Sequence, residues 1–168
     1  MHETQADIEA LQALLDRSYA AAGGHLLSIH TPERRLDAGG VVDLLEGICL
    51  LALATVSSDG RPFVGPVDGV LFRGAFHFGS APDSLRFRHI RSDPRVSATH
   101  LRGEELAVTV HGRAVEVDTR AGPCRDALLE VYRPRYGEGW ERFLDSGPVY
   151  ARIDPERMFA FHAPGEPG

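Results

Sequence analysis

Between Phe78 and Ser97 the chain reads Phe-Gly-Ser-Ala-Pro-Asp-Ser-Leu-Arg-Phe-Arg-His-Ile-Arg-Ser-Asp-Pro-Arg-Val-Ser. A small hydroxyl residue, Ser80, closes a strand-like run, and a helix start follows. Free backbone N–H groups and the positive end of the helix dipole favour an anion there. Ser84 and Arg86 add a hydroxyl and a fixed cation within the same turn. These parts suit a phosphate. They are equally consistent with Ser80 as a plain helix cap and the arginines as a solvated face, and Asp83 in the first turn opposes an anion.

The other reactive residue types form no comparable group. Of the eight histidines, His77 and His100 fall in strands, His89 on the helix, His111 mid-strand and His162 near the end. None has His-x-x-x-His spacing, which argues against a metal site. A heme needs only one axial ligand, so that alternative stays open. Cys49 lies in the apolar run Ile48–Ala54 and Cys124 follows Gly122-Pro123. This is neither disulfide-framework nor zinc spacing, and a reduced, cytoplasmic compartment is expected. No Ser-His-Asp or Cys-His set can be assembled by spacing, so no catalytic side chain is named.

The elements that must position these residues are legible from periodicity. Thr4 and Asp7 form a capping box, and Ile8, Leu11, Leu14, Leu15 and Tyr19 predict an amphipathic helix over 5–22, ended by Gly23-Gly24. It can cover its own domain or a partner subunit. Residues 25–35 read as irregular, and a short helix follows Asp37 and stops at Gly47. Apolar residues then predict a strand over 48–56, a turn at Ser58-Asp59-Gly60, a strand over 62–72, a turn at Arg73-Gly74 and a strand over 75–79. The helix starting at Ser80 runs to about Arg91, and Asp93-Pro94 stops it. Strands over 95–100 and 105–118 follow. In the second, Leu106, Val108 and Val110 share one face and Val115 and Val117 the other, which suggests a β-bulge at Gly112. Residues 121–145 read as helix broken near Pro134 and Gly137, and Val149–Ile153, a turn at Asp154-Pro155 and Met158–His162 close the chain.

Length and composition bound the rest. A chain of 168 residues with 43% apolar and 25% charged residues suits one globular domain. A net charge of −6 argues against a nucleic-acid partner. No signal peptide is visible, and no apolar run approaches the roughly 18 residues of a membrane span.

The 78–97 stretch resembles the corresponding segment of the pyridoxamine 5′-phosphate oxidase-like, FMN-binding split-barrel family. There the third strand ends in Thr or Ser, and a Ser-Arg-Lys-like run and an Asn/Asp-Pro-Arg-Val stop follow. The hairpin Ala54–Pro62 opening into Val64-Gly65-Pro66-Val67, and Gly112-Arg113-Ala114 within a long strand, are similar too. The resemblance covers roughly residues 45–118 and, loosely, the last strand. It implies a mainly β (β+α) fold, a six-stranded antiparallel split β-barrel with peripheral helices. The whole chain, 1–168, forms one domain with a helical extension over about 1–46.

By the same resemblance, Gly79, Ser80, Ser84 and Arg86, with Phe78 leading into them, hold the phosphate of FMN. The backbone of Pro66-Val67-Asp68 lies along the isoalloxazine ring. The cofactor sits at a homodimer interface, and the activity is that of an oxidoreductase moving hydride to a small organic substrate. A deazaflavin coenzyme is the alternative, heme a less favoured one, and a non-catalytic flavin- or heme-binding protein the alternative function. Three departures argue against pyridoxamine phosphate as substrate. Leu85 replaces an arginine, Val64–Gly69 replaces basic residues on the second strand, and Met158–His162 replaces an Arg-x-His signature.

Overall fold

Alternating burial sets which way each strand faces, and the apolar sides converge on a barrel. In a computed structural model describing residues 2–163, the strands are Cys49–Val56 (β1), Pro62–Phe72 (β2), Ala75–Ser80 (β3), Arg95–Arg102 (β4), Leu106–Val117 (β5) and Val149–His162 (β6). They close an antiparallel barrel in the order β1-β2-β3-β6-β5-β4. Helices Gln5–Ala20 (α1), Gly24–Ile29 (α2), Ala38–Leu44 (α3), Leu85–Ser92 (α4), Pro123–Tyr136 (α5) and Gly139–Asp145 (α6) surround it. Leu51, Phe76, Phe78, Val108, Ile153 and Met158 fill the interior and are almost wholly buried. A second cluster, with Val70, Leu128, Tyr132 and Tyr150, packs α5 and α6 on the outside of the wall.

Local signals formed as expected. Thr4 and Asp7 exchange backbone-to-side-chain bonds of 2.8 and 3.2 Å, and Asp37 caps α3 through the Gly40 N–H at 2.8 Å. The Arg73-Gly74 turn has φ of 50° and 71°, the double positive φ of a type I′ hairpin.

Four expectations are corrected. Residues 25–35, read as irregular, contain α2 and a 3-10 turn at Pro32–Arg34. Pro134 does not break α5 but sits in its last turn, and the break falls at Gly137, φ 62°. The Asp154-Pro155 turn is absent, and β6 runs through it as one strand. The bulge is real but lies on β6. His111 pairs with Arg157 and Gly112 with Pro155, leaving Glu156 as the extra residue. Along β5 the buried set Leu106, Val108, Val110 and Ala114 keeps one phase. The apolar Val117 on the opposite face instead packs into the outer cluster. The phase flips on β6, from Ala151 and Ile153 to Met158 and Ala160.

β3 is short, so two seams of the barrel lack a strand partner. Beside β6, beyond its pairing with β3, α1 and the Arg35-Leu36 segment supply bonds, the latter through the Leu36 N–H to the Ala160 carbonyl at 3.2 Å and a bridge from Arg35 to Phe161. Ser18 Oγ accepts the Met158 N–H at 3.0 Å. The Tyr19 hydroxyl accepts the Ala160 N–H at 3.1 Å and donates to the Ala160 carbonyl at 2.8 Å. Leu11, Leu14 and Leu15 pack beneath. The apolar face of α1 is therefore spent on its own barrel. The second seam, beside β2, forms the site described below.

The buried His77 gives a testable pH dependence. Burial, opposed by the bond from its Nδ1–H to the Ala75 carbonyl, pushes its pKa down to about 4, with Arg152 lowering and Asp154 raising it. The unfolded chain takes up this proton near the ordinary value of about 6.5, the folded chain only near 4. Stability is therefore lost as pH falls through that window, by about 3 kcal/mol in all. Chemical denaturation across the window should show this slope, and His77→Phe should flatten it. An unchanged slope in the variant would assign the effect to other groups.

Candidate functional site

Only the last residues of β2, Gly69–Phe72, pair with β3, while Pro62–Val56 to Gly69–Cys49 pair with β1 on the other side. The first half of β2 therefore has an open edge. The Pro66 carbonyl points out of it and accepts a hydrogen bond from Arg86 Nη2 at 2.9 Å. Alternation along the strand aims the N–H and C=O of Val64 at the same edge. Arg86 is the residue whose side chain is found bonded to this edge among the described residues.

The α4 start stands over this opening. Ser84, not Ser80, is the N-cap. Its Oγ accepts the Phe87 N–H at 3.3 Å, and its own N–H closes a turn onto the Ala81 carbonyl at 3.0 Å. The 81–84 turn separates strand and helix because Ser80 is still paired with Val149. Phe87 is fully buried and stacks on Phe78 with ring centroids 6.1 Å apart, which pins the helix to the barrel. Arg91 ties down the turn, donating to the Pro82 carbonyl at 2.7 Å and to Glu116 Oε1 at 2.8 Å.

Between this helix and β1–β2 lies a cleft of about 170 Å³ lined by Leu53, Phe63, Gly65, Leu85, Arg86 and His89, among others. Burial lowers the pKa of Arg86 from its ordinary value, but a guanidinium stays charged in proteins. The result is a half-desolvated cation beside free N–H groups, an arrangement suited to an anion. His89 Nδ1 lies 3.0 Å from Thr55 Oγ1, and Phe63 packs on its ring at 4.8 Å. Thr55 and Phe63 carry no signal in the sequence, which places His89 on the helix only as one of the histidines weighed for metal or heme. The available signal was the three-residue spacing of Arg86 and His89, which puts them on one helix face.

The expected site residues are brought together in part. Arg86 lines the cleft and bonds the Pro66 carbonyl at its edge, Ser84 caps the helix that carries Arg86, and Ser80 stays in β3 paired with Val149, outside the cleft's lining. Gly79 lies against the Tyr150 ring, where a Cβ would come within 2.6 Å of a ring carbon. The side chains of Phe78 and Val67 point into the core, which leaves only their backbones available to a ligand. Asp68 is half-buried on the outer face, and its charge helps raise the pKa of Tyr132 and Tyr150, secondary to their burial. Burial pushes the Cys49 thiol up to about 11 and raises that of Cys124, so neither is an activated nucleophile. Among the described residues no group of three His, Cys, Asp or Glu side chains could hold a metal, and no helix is long and apolar enough to cross a membrane.

A closed six-stranded barrel with one seam held open against a helix start is a split β-barrel. The sequence model for pyridoxamine 5′-phosphate oxidase matches residues 40–163, and the chain belongs to that family. No curated protein matches it significantly in sequence. Among solved structures, an FAD-binding protein of Mesorhizobium loti is 27% identical, with a TM-score of 0.58 over 77% of this chain and 97% of that one. A conserved hypothetical protein of Mycobacterium tuberculosis shares the fold at 20% identity, with a TM-score of 0.66 over 83% and 96%. The heme storage protein HutZ of Vibrio cholerae also shares it at 20% identity, with a TM-score of 0.60 over 76% and 95%.

Proposed function

We propose that this protein is an oxidoreductase that binds a flavin-type cofactor, FMN or a deazaflavin coenzyme, and passes hydride to a small organic substrate. The observation that carries this reading is the open edge of β2 facing Arg86 and the α4 start. The residues fit the group. The Ser84 and Ser80 hydroxyls, the α4 N–H groups and Arg86 suit its phosphate, and the β2 edge offers backbone groups to the heteroatoms along one side of its ring. The cofactor supplies the hydride chemistry when bound. The chain binds its phosphate, orients its ring along β2 and excludes water with Phe63 and Leu85. The family match and the FAD-binding Mesorhizobium relative support the same reading.

The cleft holds only about 170 Å³, below the roughly 300–1,000 Å³ of a small-molecule site. A second wall is needed. The outer face of β1, β2 and β4 presents Leu50, Ala52, Val64, Pro66 and Leu101 to solvent, with Leu50 59% and Val64 72% exposed. This apolar surface adjoins the cleft, and a second copy covering it would complete the pocket as a homodimer. Light scattering at micromolar concentration should give twice the chain mass, and Val64→Glu should shift it toward monomer and weaken cofactor binding. A wild-type monomer would sink the shared-pocket model.

The absorption spectrum of the purified protein, followed by titration with FMN and separately with a deazaflavin coenzyme, tests the cofactor. Flavin-type absorbance or saturable binding of either ligand is expected. A heme band with no flavin binding would replace this reading with a heme-binding protein on the same barrel, as the name of the Vibrio cholerae structure suggests for that protein.

A further inference from the structure

A cavity of about 600 Å³ opens between α1, the β2–β3 hairpin, the start of α5 and the bulged part of β6. It shares no lining residue with the cleft at Arg86. Its volume falls within the range of small-molecule sites. Leu11, Leu14, Phe72 and Val117 give it apolar walls.

Two kinds of polar group face this space with bonding capacity to spare. The first is His77, only 5% exposed. Its Nδ1 lies 3.0 Å from the Ala75 carbonyl. A carbonyl only accepts, so Nδ1 carries the proton and Nε2 of the neutral ring is left as an acceptor. Among the described residues Nε2 has no hydrogen-bond partner, although the ring lines the cavity. The second is the pair of cations at the rim, Arg17 and Arg73. Arg73 lies over the Phe72 ring at 5.4 Å, and among the described residues neither arginine has a carboxylate within ion-pair distance. Of the acids at the cavity, Asp154 is paired with Arg152, and Asp7 is bonded to Thr4 while also feeling the charge of Arg73, which leaves Arg17 as the less compensated of the two rim cations.

We propose that this cavity is a second ligand site, for a small organic anion with a compact apolar body and one hydrogen-bond donor. The anionic end meets Arg17 and Arg73, the body lies against Leu14 and Phe72, and a hydroxyl or N–H reaches His77 Nε2. A cationic amine is disfavoured by the rim arginines. A neutral hydrocarbon makes use of neither the rim charge nor the Nε2 acceptor.

The dye 1-anilinonaphthalene-8-sulfonate has this chemistry, with a sulfonate, an aromatic body and one N–H. Its fluorescence titration into the full-length protein should saturate. Arg17→Glu should weaken binding at least about tenfold, as loss and reversal of a charge-assisted contact implies. Ala13→Trp, which fills the cavity mouth, should abolish binding. Both positions are exposed on α1, so circular dichroism should show both variants folded. Arg86→Ala should bind the dye like wild type, and FMN should not displace it. The proposal is overturned if wild type does not bind, if Arg17→Glu and Ala13→Trp bind normally, or if Arg86→Ala or FMN removes the dye, which would place it in the other cleft.

Discussion

Arg86→Ala is expected to weaken binding of FMN or the deazaflavin coenzyme by about 10- to 150-fold while leaving the protein folded. A hydrogen bond to a charged group contributes about 1.5–3 kcal/mol, and each 1.4 kcal/mol is about tenfold. The fold should survive because the side chain makes one hydrogen bond, to the Pro66 carbonyl at the open edge of β2. That carbonyl can turn to water once the arginine is gone. Arg88 is the proper control, exposed on the same helix, and Arg88→Ala should bind like wild type. Arg91 is an unsuitable control, although spacing alone makes it look like a bystander. Its bonds to Pro82 and Glu116 hold the turn that sets the helix start, so Arg91→Ala should show a partial loss. The readout is a flavin-fluorescence titration. Equal affinity in Arg86→Ala and wild type would limit the guanidinium to holding the strand edge.

Gly112→Val should destabilise the fold by about 3 kcal/mol, the upper end of the usual cost of overpacking. A Cβ on Gly112 would sit 2.1 Å from the Asp154 carbonyl oxygen. That is backbone, not a flexible side-chain end, so the β5–β6 pairing itself must shift. Positive φ is not the reason, since Gly112 is absent from the left-handed region. For a chain of this size about 2–4 °C is lost per kcal/mol, so thermal melting should fall by roughly 6–12 °C. Gly24→Ala is the contrast, because nothing lies within 4 Å of a Cβ there, and it should melt at or slightly above the wild-type temperature. If Gly112→Val melted like wild type, the bulge would have to accommodate a side chain by another route.

These two sites differ in how far sequence alone could reach them. Gly112 was flagged by an apparent phase change along β5. The position was right and the cause was not, because Val117 is apolar for the sake of the outer cluster while the inserted residue is Glu156 on β6. The hydrophobic pattern of one strand cannot say which partner carries the extra residue. At the corner, the strand, turn and helix were readable, but the cap moved from Ser80 to Ser84. Pairing of Ser80 with Val149 on β6 holds Ser80 in the strand, and a partner so distant in sequence leaves no local mark.

The sequence by itself determined the features closed within a few residues: the Thr4–Asp7 box, the Asp37 cap, the hairpins at Asp59-Gly60 and Arg73-Gly74 and the Asp93-Pro94 stop. Each is satisfied by its own neighbours, so composition and spacing suffice. The sequence did not determine the facing of β1, whose apolar run reads as buried on both faces while Leu50 is 59% exposed. The tertiary structure alone decided that β6 closes the barrel between β3 and β5. It also decided which open edge α1 would seal and which would be left to Arg86. A strand leaves its N–H and C=O groups unpaired wherever its neighbour is too short, and β3 pairs with β2 only as far as Gly69. Ser18 and Tyr19 happen to reach the unpaired edge of β6. Among the described residues only Arg86 bonds the open edge of β2, and that difference leaves the rest of the edge free to meet a ligand.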